Sequence, residues 1–126
     1  MYILIGSNSG ISKKILSSFS KKELIIALYK TSKPKVIKKN IIFKKFDIRN
    51  SDFKAIVALI NKNKDKKITI VNFSSVKKDK LSIKLTKKDF KDTYETNLFG
   101  YFNFIKVILP IMMRNNWGRV INISST

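Results

Sequence analysis

Five short apolar runs, set apart by amphipathic or turn-rich stretches, constrain this chain more than anything else in it. Tyr2-Ile3-Leu4-Ile5, Leu24 to Tyr29, Ile41 to Phe46, Ile68 to Val71 and Val120 to Ile123 are each too short for a helix. Runs of this kind read as strands, and the first and last as buried ones, the pattern of a parallel sheet under helices. Between them lie helical patterns. Ile15, Leu16 and Phe19 share one face, and Phe53, Ile56, Val57 and Ile60 share another. Tyr94, Leu98, Tyr101, Phe102, Ile105, Ile108, Leu109 and Met112 recur at steps of three and four and are expected on one face of a long helix. Strand and helix in alternation predict a three-layer α/β fold.

Local signals mark the boundaries. Thr86 followed by Asp89 forms a capping box for the long helix. Pro110 lacks the amide hydrogen an inner turn needs, so a kink or an ending is expected there. Asn115-Asn116-Trp117-Gly118 reads as a turn, and Val120 to Ile123 as a buried strand ending at Ser124 and Ser125. Asn50 or Ser51 is expected to cap the helix that carries Phe53. Thr31 to Asn40, with Pro34 inside it, is expected to be a loop or a single turn rather than a helix.

Composition removes several chemistries. The 126 residues suit one domain at most. With no cysteine and no histidine there is no disulfide, no thiolate and no zinc site of nitrogen and sulfur ligands. That suits a reducing, cytoplasmic setting. No stretch is expected to reach the apolar length of a membrane span, and the start lacks a signal-peptide layout. The formal charge is +19, but of 27 basic residues only Arg49, Arg114 and Arg119 are arginines. Lysines spread along the chain describe a solvated basic surface, whereas readers of bases and phosphates favour arginine's fork. A nucleic-acid-binding module is the weaker alternative.

Gly6-Ser7-Asn8-Ser9-Gly10-Ile11-Ser12 stands between the first strand and the first helix. A glycine-rich turn at that point lets backbone N–H groups approach a pyrophosphate at the helix's positive end.

Three later motifs stand in order at matching separations: Asn97-Leu98-Phe99-Gly100, Leu109-Pro110-Ile111-Met112, and Gly118-Arg119-Val120-Ile121-Asn122-Ile123-Ser124-Ser125. With the glycine turn they resemble the short-chain dehydrogenase/reductase family, classical branch, over about the first half of a family domain. The resemblance implies a Rossmann-type, doubly wound parallel sheet in the order 3-2-1-4-5, and hydride transfer between NAD or NADP and a carbonyl or alcohol substrate. It implies that Gly6, Ser7, Asn8, Ser9, Gly10 and Ile11 underlie the pyrophosphate. Asp47 and Ile48 lie against the adenine, and Asn72 opens the segment lining the cleft. Asn97 would support a relay water, and Ser125 would orient the substrate oxygen. Family members that prefer NAD carry a carboxylate after the second strand. Here Tyr29-Lys30-Thr31 has none, and Lys30 leans the expectation towards NADP.

The chain departs from the family at Ser12, where a third glycine is usual and some shift of the helix is expected. It departs again at Phe73, Ser74 and Ser75, where small residues and a glycine line the cleft; weaker cofactor binding is expected. The family's Tyr-x-x-x-Lys follows the serine strand, but the one such pair here, Tyr29 and Lys33, precedes it and reads as chance. The expectation is one incomplete NAD(P)-binding domain over residues 1–126, marginally stable and inactive as it stands, with the long helix serving a homo-oligomer. A non-catalytic nucleotide-binding or interaction remnant is the alternative.

Overall fold

The structure, a computed structural model, describes residues 1–49, 52–63 and 67–124. Its elements run β1 (Tyr2–Ile5), α1 (Gly10–Ser18), β2 (Ile25–Tyr29), β3 (Ile41–Lys45), α2 (Lys54–Asn61), β4 (Thr69–Asn72), α3 (Lys87–Tyr94), α4 (Gly100–Arg114) and β5 (Arg119–Asn122). A 3-10 turn, Ser82–Lys84, precedes α3, and a π-helical turn, Glu95–Phe99, joins α3 to α4. All five strands pair in parallel, in the order β3-β2-β1-β4-β5. This is the doubly wound sheet expected from the sequence. The span between β2 and β3 holds no helix, also as expected.

Alternation along the strands divides the core in two. Ile3 and Ile5 of β1, Ile26 and Leu28 of β2, and Ile70 of β4 face one side, with Ile56 and Ile60 of α2 and Phe104, Ile108, Ile111 and Met112 of α4. Leu4, Ile25, Ala27, Ile41, Val71 and Phe73 face the other, with Leu16 of α1. Each fully buried Ile or Leu contributes about 1.5–3 kcal/mol, so the sheet centre is the stable part of the molecule. Helices on both faces give the three layers.

The long helix begins as predicted. Thr86 Oγ1 accepts the Asp89 amide at 3.1 Å, and Asp89 Oδ2 accepts the Thr86 amide at 3.1 Å, closing the capping box. Its buried face is the expected one only in part: Ile108 and Met112 are buried, and Tyr101 and Ile105 pack against the core. Tyr94, Leu98, Phe102 and Leu109 are exposed, while Gly100, Phe104, Ile108, Ile111 and Met112 are buried. The π turn offsets Tyr94 and Leu98 from the residues after it, because its wider hydrogen bonds take one extra residue. Nor does the helix end at Pro110. Pro110 and Lys106, whose carbonyl the proline leaves without its usual donor, are both exposed, so water can take the bond.

Two further expectations need correcting, and a third falls outside the described residues. Lys87–Arg114, 28 residues with a window of mean hydropathy 1.3, is by length and composition apolar enough to cross a membrane. Its burial of Phe104, Ile108, Ile111 and Met112 against the sheet marks it as a core helix instead. β5 was expected to be buried, yet all four of its residues are exposed. It pairs with β4 along one edge, and neither core cluster reaches it. Asn50 and Ser51, the expected caps of α2, lie outside the described residues. Asp52 Oδ1 accepts the Lys54 amide at 2.9 Å at that helix's start.

Candidate functional site

In this strand order the chain leaves β1 for one side of the sheet and returns to its other side at β4. The connections that follow the two strands pass to opposite faces at their carboxyl ends, where open α/β sheets bind ligands. A cavity of about 250 Å³ lies there. Its walls are Ile5, Gly6, Asn8 and Ser9 from the β1 exit, Lys30 and Thr31 after β2, Phe46, Asp47 and Ile48 after β3, Phe73 to Val76 after β4, and Thr96 from the π turn. At that size it has room for a group no larger than a base with its ribose; drug-sized ligands take roughly 300–1,000 Å³.

The glycine turn is shaped by two constraints at Gly6. Its φ is +78°, and a Cβ there would sit 2.8 Å from the Ser74 nitrogen and 2.9 Å from the Phe73 carbonyl carbon. Glycine alone brings the two strand exits this close. Ser9 then caps α1, its Oγ accepting the Ser12 amide at 3.1 Å. Among the described residues nothing accepts from the Gly10 and Ile11 amides, the first two of α1. A Cβ on Gly10 would meet nothing within 4 Å. Free N–H groups and open space at a helix start fit an anion. Ser7 is fully buried, its amide donating to the Leu28 carbonyl at 2.8 Å, and its hydroxyl has no partner.

Asp47 is held from several sides. Its Oδ1 accepts the Arg49 amide at 3.0 Å and Arg49 Nε at 3.2 Å, and its Oδ2 accepts Arg49 Nη2 at 2.9 Å. Lys30 Nζ lies 3.1 Å from the same Oδ2. The Arg49 guanidinium, more than any other group, holds the Asp47 carboxyl well below the usual carboxylate range. Arg49 Nη1 also reaches Asp92 of α3 at 3.5 Å, and Lys78 Nζ bridges Asp92 and Asp89 at 3.7 and 3.6 Å. Lys80 Nζ donates to Asp89 Oδ2 at 2.7 Å; that bond, then the Thr86 bonds, hold this carboxyl well below its ordinary value.

Asn97 sits in the π turn, where it works as a clamp. Its Oδ1 accepts the Val76 amide at 2.7 Å and its Nδ2 donates to the Val76 carbonyl at 2.9 Å. The segment lining the cleft is thereby tied to the long helix. Asn72 lies just outside the cavity wall. Its Oδ1 accepts the Ser74 amide at 3.0 Å and the Ser74 hydroxyl at 2.5 Å, which folds the β4 exit. Gly6, Asn8, Ser9, Lys30, Asp47 and Ile48 thus meet at one cavity; Ser7, Gly10, Ile11, Asn72 and Asn97 do not line it. Ser125 lies outside the described residues.

A family model for short chain dehydrogenases matches residues 1–126. The chain belongs to the short-chain dehydrogenase family. Nodulation protein G of Azospirillum brasilense is 37% identical over 78 residues, 60% of this chain and 32% of that protein. The 3-oxoacyl-acyl-carrier-protein reductase FabG of Staphylococcus epidermidis is 36% identical over 56 residues, 44% of this chain and 23% of that one. Serine dehydrogenase from Escherichia coli superposes with a TM-score of 0.79 at 24% identity, covering 100% of this chain and 62% of that one. ElxO with NADP bound gives 0.79 at 23%, covering 98% and 54%. At these identities the two solved structures speak for the fold alone, and the chain spans less than two thirds of each relative.

The departures from the short-chain dehydrogenase pattern take definite forms. Ser12 is fully buried, its hydroxyl 3.2 Å from the Gly6 carbonyl and 2.9 Å from that of Ser9, so a polar group replaces the third glycine inside the turn. Phe73 is 9% exposed and packs in the core cluster with Leu4, Leu16 and Val71, so most of its bulk lies beneath the cleft floor. Ser75 keeps a negative φ, a conformation open to any residue. Two residues at this cleft went unread in the sequence: Thr96, which lines it, and Arg49, which holds Asp47. Arg49's position two residues after Asp47, within reach of its carboxylate, was the available signal.

Proposed function

We propose that the chain is the cofactor-binding portion of an oxidoreductase that moves a hydride between NAD(P) and a carbonyl or alcohol substrate, and that these 126 residues bind the dinucleotide without turning substrate over. The observation that carries this reading is the cleft between the Gly6 turn and the Phe73–Val76 segment, with Asp47 and Ile48 in its wall. Adenine with its ribose suits the cavity against Asp47 and Ile48. The pyrophosphate suits the turn from Gly6 to Ile11, where the Gly10 and Ile11 amides are free to donate. The bound nicotinamide supplies or accepts the hydride. Asn97 and Ser125 take the family roles of holding a relay water and the substrate oxygen. Neither gives up a proton as a tyrosine does, and loss of general acid/base catalysis typically costs about 10²–10⁴-fold.

Within this reading the cofactor is NADP rather than NAD. No carboxylate follows β2, and Lys30 stands there instead. Beyond the Asn8–Ser32 hydrogen bond of 2.6 Å opens a second cavity, about 610 Å³, ringed by Lys13, Lys14, Lys33 and Lys35. Tyr94, Leu98, Phe99, Phe102 and Met113, exposed along the long helix, support self-association there, in a cytoplasmic setting. Calorimetric titration with NADPH and NADH, beside an absorbance assay with aldehydes and ketones, tests the whole. Saturable NADPH binding without oxidation is expected. Failure to bind either cofactor refutes the reading, and enzyme-dependent oxidation lost in Ser125→Ala refutes the inactivity.

A further inference from the structure

A carboxylate offers about four lone-pair sites for hydrogen bonds. Among the described residues, four donors already reach Asp47: the Arg49 amide and Nε on Oδ1, and Arg49 Nη2 and Lys30 Nζ on Oδ2. A base edge that presents an amine to this carboxylate therefore finds its lone pairs taken, and a donor must leave. The two candidates are unequal. Arg49 holds on through three bonds, two of them a fork across both oxygens, and its side chain is 25% exposed. Lys30 holds through one bond and is 48% exposed. An exposed ion pair is worth about 0–1 kcal/mol, so Lys30 is the donor that exchanges.

The position of the pair gives the exchange a use. Lys30 and Asp47 line the cleft and also a neighbouring cavity of about 550 Å³ bounded by Lys44, Lys45, Asp52 and Ile56. A lysine released from Asp47 stays at the rim of the cleft, beside whatever the base carries on its ribose.

We propose that Lys30 is an exchangeable partner: the amine of a bound adenine takes its place on Asp47 Oδ2, and the freed ammonium donates to a phosphate on the ligand's ribose. This rests on the adenine-nucleotide reading of the cleft. The same lysine then opposes one class of ligand and favours another. An adenine nucleotide with a bare ribose breaks the bridge and leaves the ammonium to water. One carrying a ribose phosphate gives it a new acceptor. Recognition of the base and of the phosphate is coupled through one side chain.

The test compares the whole wild-type chain with Lys30→Met by isothermal titration, using adenosine 5′-monophosphate, inosine 5′-monophosphate and adenosine 2′,5′-bisphosphate. The first two carry the same charge, but inosine presents an acceptor oxygen where adenine presents the amine, so it offers no donor at the position that takes Lys30's place on Asp47 Oδ2. The wild type is expected to bind the bisphosphate on the order of tenfold tighter than the adenosine monophosphate, the worth of a charge-assisted bond. In Lys30→Met that advantage disappears, and the ratio of adenosine to inosine monophosphate affinity rises roughly two- to fivefold, the worth of the lost competitor. The ratio cancels the general loss of positive charge. An unchanged or lower ratio, with the wild type still binding, overturns the exchange and leaves the nucleotide site standing. A wild-type chain that binds none of the three overturns both.

Discussion

Replacing Gly100 by alanine sets two opposed effects against each other. In an ordinary helix interior the change stabilises by about 1 kcal/mol, because alanine loses less backbone freedom on folding. Gly100 is not in an ordinary helix. Its amide donates to the Glu95 carbonyl five residues back, closing the π turn. A Cβ there would lie 2.7 Å from that same Glu95 oxygen, 2.7 Å from the Ile48 carbonyl oxygen and 3.1 Å from the Ile48 carbonyl carbon. These are backbone atoms on both sides, and Ile48 is a buried core residue. Overpacking of this sort costs about 1–3 kcal/mol, and two backbone clashes put it at the upper end. The net expectation is a loss of about 1–2 kcal/mol, or a fall in Tm of roughly 4–8 °C for a domain of this size. Urea unfolding followed by circular dichroism measures it. Gly10→Ala is the control, since its Cβ would meet nothing within 4 Å, and it should leave the midpoint within about 0.5 kcal/mol. A Gly100→Ala chain more stable than wild type would show that the π turn relaxes freely and that the crowding argument is wrong.

Asn97→Leu removes both bonds to Val76; a loss of about 1–2 kcal/mol is expected, with faster amide exchange at Val76 than at Leu28 as the local signature. Tyr101→Phe removes a buried hydroxyl that has no partner, so stability should rise by about 1 kcal/mol in a urea titration. Burial pushes the Tyr101 phenol up to about 12, so the neutral form is favoured in the folded chain. That contribution is complete below the unfolded value of about 10 and is lost as pH rises from there through about 12, which absorbance at 295 nm and unfolding midpoints should both follow. For Asp47 and Asp89 the sign reverses. Their folded carboxyls titrate below the unfolded value of about 3.9, so their contribution is complete above it and is lost as pH falls further; urea midpoints from pH 7 to 2.5 should drop below about pH 4, and less steeply in Asp89→Asn.

The parts of the molecule that short-range chemistry decides were legible in the sequence. Apolar runs set the strands, Thr86 and Asp89 set the start of the long helix, and the glycine turn set the cleft. The offset within the long helix was not legible, because a π turn is one residue of extra winding and leaves the apolar spacing plausible on either face. Leu98 and Phe102 look as buriable as Phe104. Arg49 was missed for a different reason. Asp47 stands two residues away, but the contact with Asp92 that completes its setting forms only once β3 and α3 are assembled. Lys30 was read as a cation facing a ligand, and its bridge to Asp47 depends on neighbouring strand ends that no local pattern encodes.

β1 lies at the middle of the sheet, with Tyr2 paired to Ile25 on one side and to Thr69 on the other. The second partner is nearly three times as far along the chain, and each doubling of a closed loop adds about 0.6 kcal/mol of closure entropy. During synthesis the first strand made therefore waits for one of its neighbours until more than half of these residues have been translated. Until β4 arrives, Ile3, Leu4 and Ile5 form a naked margin that can pair with any extended segment nearby. A ribosome stalled between α2 and β4 would present that margin, and chaperone capture should peak there and fall once Ile70 and Val71 have emerged.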